Sequence, residues 1–273
     1  MLPSVFICHG APTLVLEDNR YTRFLSQLAH EWERPQGIIV FTAHWESPVI
    51  SITHTDQPYE TIHDFYGFPR EMYHIRYPAK GSTGLSQRIQ QLLANEGLHA
   101  ELDAHRGLDH GVWVPLRLLY PQADIPVVAI SVNPARPPAE QYRIGRALAP
   151  LRREDILILG SGATVHNLRA LEWNRRLPED VVPWAASFDD WLIRHVTAWD
   201  RETLFDYAQQ APYAKLAVPT AEHLMPLFLA MGAADDKREA RLLHRSYDYG
   251  TLSMIALQFG GNSVHKESPI LGA

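Results

Sequence analysis

Five histidines occupy positions from which they could surround one metal ion. His9 and His44 each come directly after a short apolar run that is typical of a buried strand. His110, His166 and His223 stand in positions typical of loops or of the first residues of helices. Neutral imidazole is the commonest metal ligand in proteins, and nitrogen ligands suit zinc, copper, iron and nickel. The pattern therefore indicates a metal site.

The residues around two of these histidines favour their placement at such a site. Gly160 and Gly162 precede His166, and glycine lets the main chain approach a site closely. Thr220 is a candidate N-cap, which would put His223 at the third position of a helix, facing the crevice.

The elements that would hold these histidines can be predicted from hydrophobic patterning. Apolar runs without alternation predict strands covered on both faces, and amphipathic stretches between them predict helices. This alternation favours an α/β fold, a single domain over residues 1–273 with a central, mainly parallel sheet flanked by helices. In such sheets ligands bind beyond the carboxyl ends of the strands, so we expect the metal site at that edge. The predicted strands are Ser4–Cys8, Gly37–Thr42, Val49–Thr53, Val127–Val132 and Ile156–Leu159. The predicted helices are Asn19–Trp32, Leu85–Asn95, Ala139–Leu148, Trp184–Thr197, Arg201–Tyr207 and Ala221–Met231.

The longest stretch without clear periodicity, Asp56–Lys80, is rich in aromatic residues. Long ordered loops in compact domains are often lids or binding loops, so these aromatics are candidates to cover a bound aromatic ring. The equally weighted alternative is that they simply pack the loop onto the domain.

Composition narrows the class of protein. A hydrophobic content of 46% fits a globular protein with a sizeable core, and a formal charge of −6 argues against a nucleic-acid surface. An apolar run of roughly 20 residues, which a membrane span needs, is absent from the sequence. The single cysteine, Cys8, rules out an internal disulfide, and alternation along its strand points it away from His9, as a core residue. We expect a soluble, cytoplasmic protein.

Several well-known motifs are missing. There is no His-Glu-x-x-His pair of a zincin and no Gly-x-Ser-x-Gly elbow of a serine hydrolase. Gly160-Ser161-Gly162 lacks the third glycine of a dinucleotide site. Any one of the 14 histidines taken alone is more often structural than a ligand; the argument rests on the shared strand-end placement of His9 and His44.

Seven sequence blocks, in order and spread over nearly the whole chain, are similar to those of a known family. They resemble the class III extradiol ring-cleaving dioxygenases of the LigB superfamily, in particular the DOPA 4,5-dioxygenase branch. The blocks are His9–Pro12, Thr42–Glu46, His63–Pro69, Tyr77–Gly81, Asp109–Leu116, Gly160–Leu168 and Pro219–Leu224.

The resemblance implies a mononuclear non-haem metal, with Fe(II), dioxygen and a catecholic substrate such as DOPA. The ring would open beside the two hydroxyls rather than between them. By matching position, the metal ligands fall on His9, His44 and His223, with His166 as a fourth ligand or a nearby acid/base. His110 matches a position from which a histidine can move protons to the substrate or to oxygen.

One departure concerns the metal. Ring-cleaving enzymes of this kind commonly use two histidines and one carboxylate, whereas here the third position is His223 with Glu222 beside it. Adjacent helical residues point about 100° apart, so we do not expect both to face one ion. An all-histidine set also suits Zn²⁺, which can therefore occupy the site in place of catalytic iron.

Two other functions stay open at this level. A zinc-dependent hydrolase would use the same histidines to generate hydroxide from bound water, and would consume no dioxygen. A non-catalytic relative would keep the fold with a vestigial pocket, although a pocket free to drift would need none of the five histidines. The ring substituent and the oligomeric state are not fixed by the sequence.

Overall fold

A single mixed β-sheet runs through the computed structural model, which describes residues 1–175, 177 and 179–261. The strand order is β4-β3-β5-β2-β6-β1-β8-β7. The four central strands, β5, β2, β6 and β1, pair in parallel, while β8 runs antiparallel to β1 and to β7. Their carboxyl ends therefore meet at one edge. The strands are β1 (Ser4–Cys8), β2 (Gly37–Glu46), β3 (Ile50–Thr53), β4 (Ala100–Asp103), β5 (Val127–Val132), β6 (Ile156–Gly162), β7 (Ala240–Asp248) and β8 (Leu252–Phe259).

Helices cover both faces of this sheet. Alternate residues of the central strands enter two separate cores, so that Phe6 packs on one face while Val5 and Ile7 pack on the other. The α-helices of the described part are α1 (Arg20–Leu28), α2 (Thr83–Asn95), α3 (His110–Leu119), α4 (Pro138–Ala147), α5 (Pro183–Thr197), α6 (Arg201–Phe205), α7 (Tyr207–Gln210), α8 (Ala214–Ala217) and α9 (Met225–Gly232). α1 and α3 pack on the face of Val5 and Ile7; α2, α4, α5 and α9 pack on the face of Phe6.

The predicted α/β class and the mainly parallel sheet are confirmed. Two predicted strands have the observed bounds, Ser4–Cys8 and Val127–Val132. The predicted strand from Ile156 continues to Gly162, and β2 continues to Glu46. β4, β7 and β8 were not predicted. The last residues of the predicted domain, 262–273, lie outside the described part.

The predicted helix Ala221–Met231 is wrong at its start, because α9 begins at Met225. Pro226 stands in its first turn, where a proline costs no hydrogen bond. Thr220 is not the N-cap; its hydroxyl donates to the Glu222 carboxylate at 2.9 Å. His223 therefore lies in the turn before α9 and not in a helix.

Among the helices of the described part, none combines the length with the apolar character that crossing a bilayer requires.

Candidate metal centre

The sheet edge positions the first two histidines. His9 directly follows β1 as predicted, and its backbone N–H donates to the Gly162 carbonyl of β6 at 3.3 Å. His44 does not follow a strand: it lies within β2, in the part where pairing with β5 shifts register between Phe41 and Glu46. Such an irregularity re-aims side chains at the end of a strand.

His110 is brought to the same edge by a helix. It is the first residue of α3, and its backbone N–H donates to the Asp64 carboxylate at 3.0 Å. Gly111 lets the helix start pack tightly, because an added Cβ would lie 2.6 Å from the Thr42 hydroxyl and 3.1 Å from the His44 ring. Only glycine fits there without displacement.

The last two histidines approach from the loops that follow β6 and precede α9. The backbone N–H of His166 donates to the Ala217 carbonyl at 3.0 Å, and the His223 carbonyl accepts from Ala163 at 2.8 Å. A Cβ on Gly162 would stand 2.0 Å from that His223 carbonyl oxygen. The turn bearing His223 therefore lies directly against the end of β6.

All five histidines predicted from the sequence come together. The Nε2 atoms of His9 and His44 are 3.1 Å apart, and the His223 ring centre is 5.2 Å and 5.0 Å from the two ring centres. His110 lies 3.9 Å from His44 between ring centres. His166 stacks on His223 at 3.5 Å with 11° between the ring planes.

Hydrogen-bond acceptors outside this cluster fix how the rings are protonated. The Ser161 hydroxyl donates to the Gly111 carbonyl at 2.5 Å, so towards His9 Nδ1, 3.0 Å away, it acts as an acceptor. His44 Nδ1 meets the Asp64 carboxylate at 3.3 Å, and His223 Nδ1 meets Glu222 at 2.9 Å. A neutral imidazole that donates from Nδ1 carries a lone pair on Nε2. In His9 and His223 the bare nitrogen is therefore Nε2, and the nearby Asp64 carboxylate favours the same tautomer in His44.

A shared metal ion would account for the close approach of these nitrogens. Two lone pairs 3.1 Å apart, on His9 and His44, repel each other unless a cation lies between them. Nitrogens that share one zinc ion, each bound at about 2.1 Å, can be no more than about 4.2 Å apart. His223 Nε2 is buried and has no hydrogen-bond partner among the described residues. His9 and His44 therefore suit one metal ion; their ligand atoms and that of His110 lie within 4.8 Å of one another, and those of His166, Glu222 and His223 form a second such group beside them.

The electrostatics favour the neutral form of His9, His44 and His166, and metal ligation requires a neutral imidazole. Burial, followed by the neighbouring histidines, lowers the pKa of His9 well below its usual value and the pKa of His44 to about 2. Burial and then His223 lower the pKa of His166 to about 3. Burial would raise the pKa of Asp64 and of Glu222, but hydrogen bonds from His110 and His223 outweigh it and bring both to about 2.

The carboxylates that hold the rings were missed or only partly recognised in the sequence. Asp64 accepts from Nδ1 of His110 at 2.9 Å, and its other carboxylate oxygen lies 3.3 Å from Nδ1 of His44. In the sequence, this role of Asp64 was indicated by its position in the His63–Pro69 block, next to the aromatic Phe65, where no other role was evident for it. Glu222 turns to Nδ1 of His223 rather than to the side of Nε2, in line with the expectation that the two do not face one ion.

The aromatic segment proves to be packed, with one residue at the site. Phe65 contacts Phe68, Tyr73 and Trp113, and its ring centre lies 6.0 Å from that of His110. Tyr77 is core, donating its hydroxyl to the Tyr120 carbonyl. The packing alternative therefore holds for these residues, and the covering of a bound ring stays a prediction. Cys8 is likewise core, with its thiol 3.6 Å from the Met254 sulfur.

Comparison with known proteins agrees with this geometry. A family model described as the catalytic LigB subunit of aromatic ring-opening dioxygenase matches residues 5–260. The chain belongs to the LigB family. This membership confirms the resemblance seen in the sequence and makes the chain a non-haem extradiol ring-opening dioxygenase that acts on a small aromatic substrate with dioxygen. It decides against the zinc hydrolase.

Individual LigB relatives align over most of their length. The chain is 42% identical to the 4,5-DOPA dioxygenase extradiol of Beta vulgaris, covering 93% of this chain and 95% of that protein. It is 39% identical to the protein of the same name from Escherichia coli K12, covering 95% of each. A crystal structure of an uncharacterised protein from Escherichia coli K12 superposes with a TM-score of 0.81 at 34% identity, covering 95% of this chain and 100% of that one.

Proposed function

We propose that this dioxygenase opens the ring of a catecholic substrate of the DOPA type, at a metal held by His9, His44 and His223. The observation that carries the proposal is the shared orientation of these three rings. Each has Nδ1 beside an acceptor outside the cluster, at 3.0 Å in His9, 3.3 Å in His44 and 2.9 Å in His223, which favours an Nε2 lone pair on each ring. The DOPA assignment is supported by two relatives of that name at 42% and 39% identity.

The proposed metal is Fe(II), with Zn²⁺ able to occupy the same nitrogen set. When bound, iron supplies binding positions for the catechol oxygens and for dioxygen, and the electrons that couple them. The protein's part is to keep the three rings neutral and their lone pairs directed inward, and burial of His9 and His223 keeps bulk water away.

His166 is proposed as the acid/base and not as a fourth ligand. The rings of His166 and His223 are stacked, with centres 3.5 Å apart and 11° between their planes, so the two rings lie side by side rather than converging on one point. A neutral, half-buried imidazole beside the ligand set can instead accept the proton that a catechol hydroxyl loses on binding.

His110 is proposed to donate a proton on the opposite side of the site. Its Nδ1–H is held by Asp64, so the Nε2 atom is the one directed towards His9 and His44. In that tautomer His110 first accepts a proton at Nε2 and then returns it. Phe65, in edge contact with His110, borders the same space and would pack against the substrate ring.

Oxygen consumption tests the proposal directly. The metal-free protein would be loaded with Fe(II) without oxygen, mixed with DOPA, and exposed to air while dissolved oxygen and the visible spectrum are recorded. We expect one dioxygen consumed per ring opened and a yellow product. The Zn²⁺-loaded protein is the matched control and should consume none. Absence of uptake with DOPA, protocatechuate and simple catechols, with iron confirmed in the site, would refute the proposed function.

A further inference from the structure

A buried carboxylate outside the metal centre joins three separate parts of the chain. Asp189 lies on α5 and is fully buried. It accepts hydrogen bonds from the hydroxyls of Thr164 at 2.6 Å, Ser253 at 2.6 Å and Tyr247 at 2.8 Å. These partners belong to the loop after β6, to β8 and to β7, so one side chain fixes all three relative to α5.

One of the three partners stands next to the proposed acid/base. Thr164 is two residues before His166, and the intervening Val165 carbonyl accepts from the backbone N–H of Ser253 at 3.4 Å. On the far side, the His166 backbone is held by Ala217. The loop that carries His166 is therefore fixed from α5, β8 and α8 together.

A carboxylate is an energetically unfavourable side chain for a buried position. Burying a charge costs free energy that neutral hydroxyl partners offset only in part, and an apolar side chain would often serve stability as well. Arg245 donates to the Tyr247 hydroxyl at 2.9 Å, while its own ion pair is with Asp190 at 2.6 Å. What the arrangement provides is a fixed geometry among three neutral hydroxyls.

We propose that Asp189 is a positioning residue, which through Thr164 holds the His166 ring in its stacked place beside His223. The inference rests on the proposed function only for the catalytic role of His166. Asp189 itself does not enter the site, so its effect must pass through the loop.

Single-hydroxyl variants separate this role from general stabilisation. Thr164→Val keeps the side-chain shape and removes the hydrogen bond that leads to His166. Tyr247→Phe is the matched control, because it removes another hydroxyl from the same carboxylate at a buried position on β7. Thr164→Ser keeps the hydroxyl and should restore whatever Thr164→Val loses.

The first readout needs no turnover. In Zn²⁺-loaded protein with ¹³C-labelled histidine rings, the His166 signal is assigned by its loss in His166→Gln. We expect Thr164→Val to shift or broaden this signal, and Tyr247→Phe and Thr164→Ser to leave it in place. The second readout is kinetic: kcat of Thr164→Val should fall about tenfold with KM within about twofold, and Tyr247→Phe should keep kcat.

An unmoved His166 signal in Thr164→Val, or an equal shift in Tyr247→Phe, would overturn the inference. Kinetic losses that add to those of His166→Gln in a double variant would also contradict it, since residues acting through one another are not additive. Failure of the proposed function looks different: the wild type would consume no dioxygen, while the His166 signal would still respond to Thr164→Val alone.

Discussion

The chemistry of each ring at this centre is set by the atom that holds its outer nitrogen. Ser161 and Glu222 accept hydrogen bonds from Nδ1 of His9 and His223, and the Asp64 carboxylate lies 3.3 Å from Nδ1 of His44, which favours a bare Nε2 in each ring. Partners of this kind fix the tautomer and orientation of metal-binding histidines and raise their basicity. A metal site is therefore defined as much by these acceptors as by the imidazoles.

Asp64 gives the sharpest test of this idea, because it serves two rings at once. Asp64→Asn has a single carbonyl oxygen, so only one of His44 and His110 can keep its acceptor. We expect metal affinity or kcat to fall by about 10- to 100-fold, with the fold retained. Chelator competition and steady-state kinetics measure the two quantities. Asp18→Asn, at an exposed carboxylate paired with Arg23, is the control; wild-type affinity and turnover in Asp64→Asn would rule the role out.

His166 and His9 should respond differently to the same substitution. His9→Gln removes a proposed ligand, so iron binding should be lost. His166→Gln removes a ring that stacks on a ligand, so iron binding should stay near wild type while kcat falls by about 10²- to 10⁴-fold. Iron content after reconstitution and oxygen uptake distinguish the two. If His166→Gln loses iron as His9→Gln does, His166 is a ligand and the acid/base assignment is wrong.

At the scale of the elements, the site depends on how closely loops can approach strand ends. Gly162 ends β6 where the His223 carbonyl packs against it, and Gly111 lets the start of α3 meet β2. Neither approach leaves room for a side chain. His223 reaches the edge because Gly162 leaves room for its turn, and His110 reaches the same edge because Gly111 lets the start of α3 lie against β2.

Gly162→Ala should therefore disturb the centre by moving backbone. Its Cβ would meet the His223 carbonyl oxygen at 2.0 Å, so the turn before α9 must shift away. We expect a loss of about 1–3 kcal/mol in unfolding free energy, together with weaker metal binding. Gly84→Ala is the control: nothing lies within 4 Å of its added Cβ, and alanine in a helix should be neutral or slightly stabilising. Denaturant unfolding and metal titration would check both; unchanged metal affinity in Gly162→Ala contradicts the argument.

For the whole molecule, the sequence predicted best what is set by local pattern. β1 and β5 are continuous apolar runs because parallel central strands are covered on both faces. β7 was not predicted because its exposed and buried residues follow no regular alternation and its sequence contains charged residues. β8 is an apolar run, which patterning alone does not separate from a buried helical segment.

The residues of the candidate site also divide into those that the sequence could predict and those that it could not. The five histidines could be predicted, since strand ends and family blocks mark them in the sequence itself. Their partners could not, because the contacts join distant positions: Asp64 and His110 are 46 residues apart, and His9 and Ser161 are 152 apart. Asp189 was equally hidden, since its three hydroxyl partners come together only in the folded chain.

A histidine away from the site should make stability of the whole molecule depend on pH. His244 lies in β7 against Tyr21 and Phe24, and burial, followed by Arg20, lowers its pKa to about 4. The folded state therefore binds a proton less readily than the unfolded state. The part of the unfolding free energy that depends on neutral His244 is fully present above the unfolded pKa of about 6.5. As pH falls from there towards 4, the unfolding free energy decreases by up to about 3 kcal/mol.

His244→Asn removes that titration. Unfolding free energies measured in denaturant at pH 7 and pH 4.5 should fall less in His244→Asn than in the wild type, even where the variant is less stable at pH 7. His99→Gln, at a side chain that is 79% exposed, controls for the loss of one imidazole. Equal pH dependence in the wild type and His244→Asn would mean that His244 is protonated as readily in the folded chain as in the unfolded one, and that its burial carries no free-energy cost for the charge.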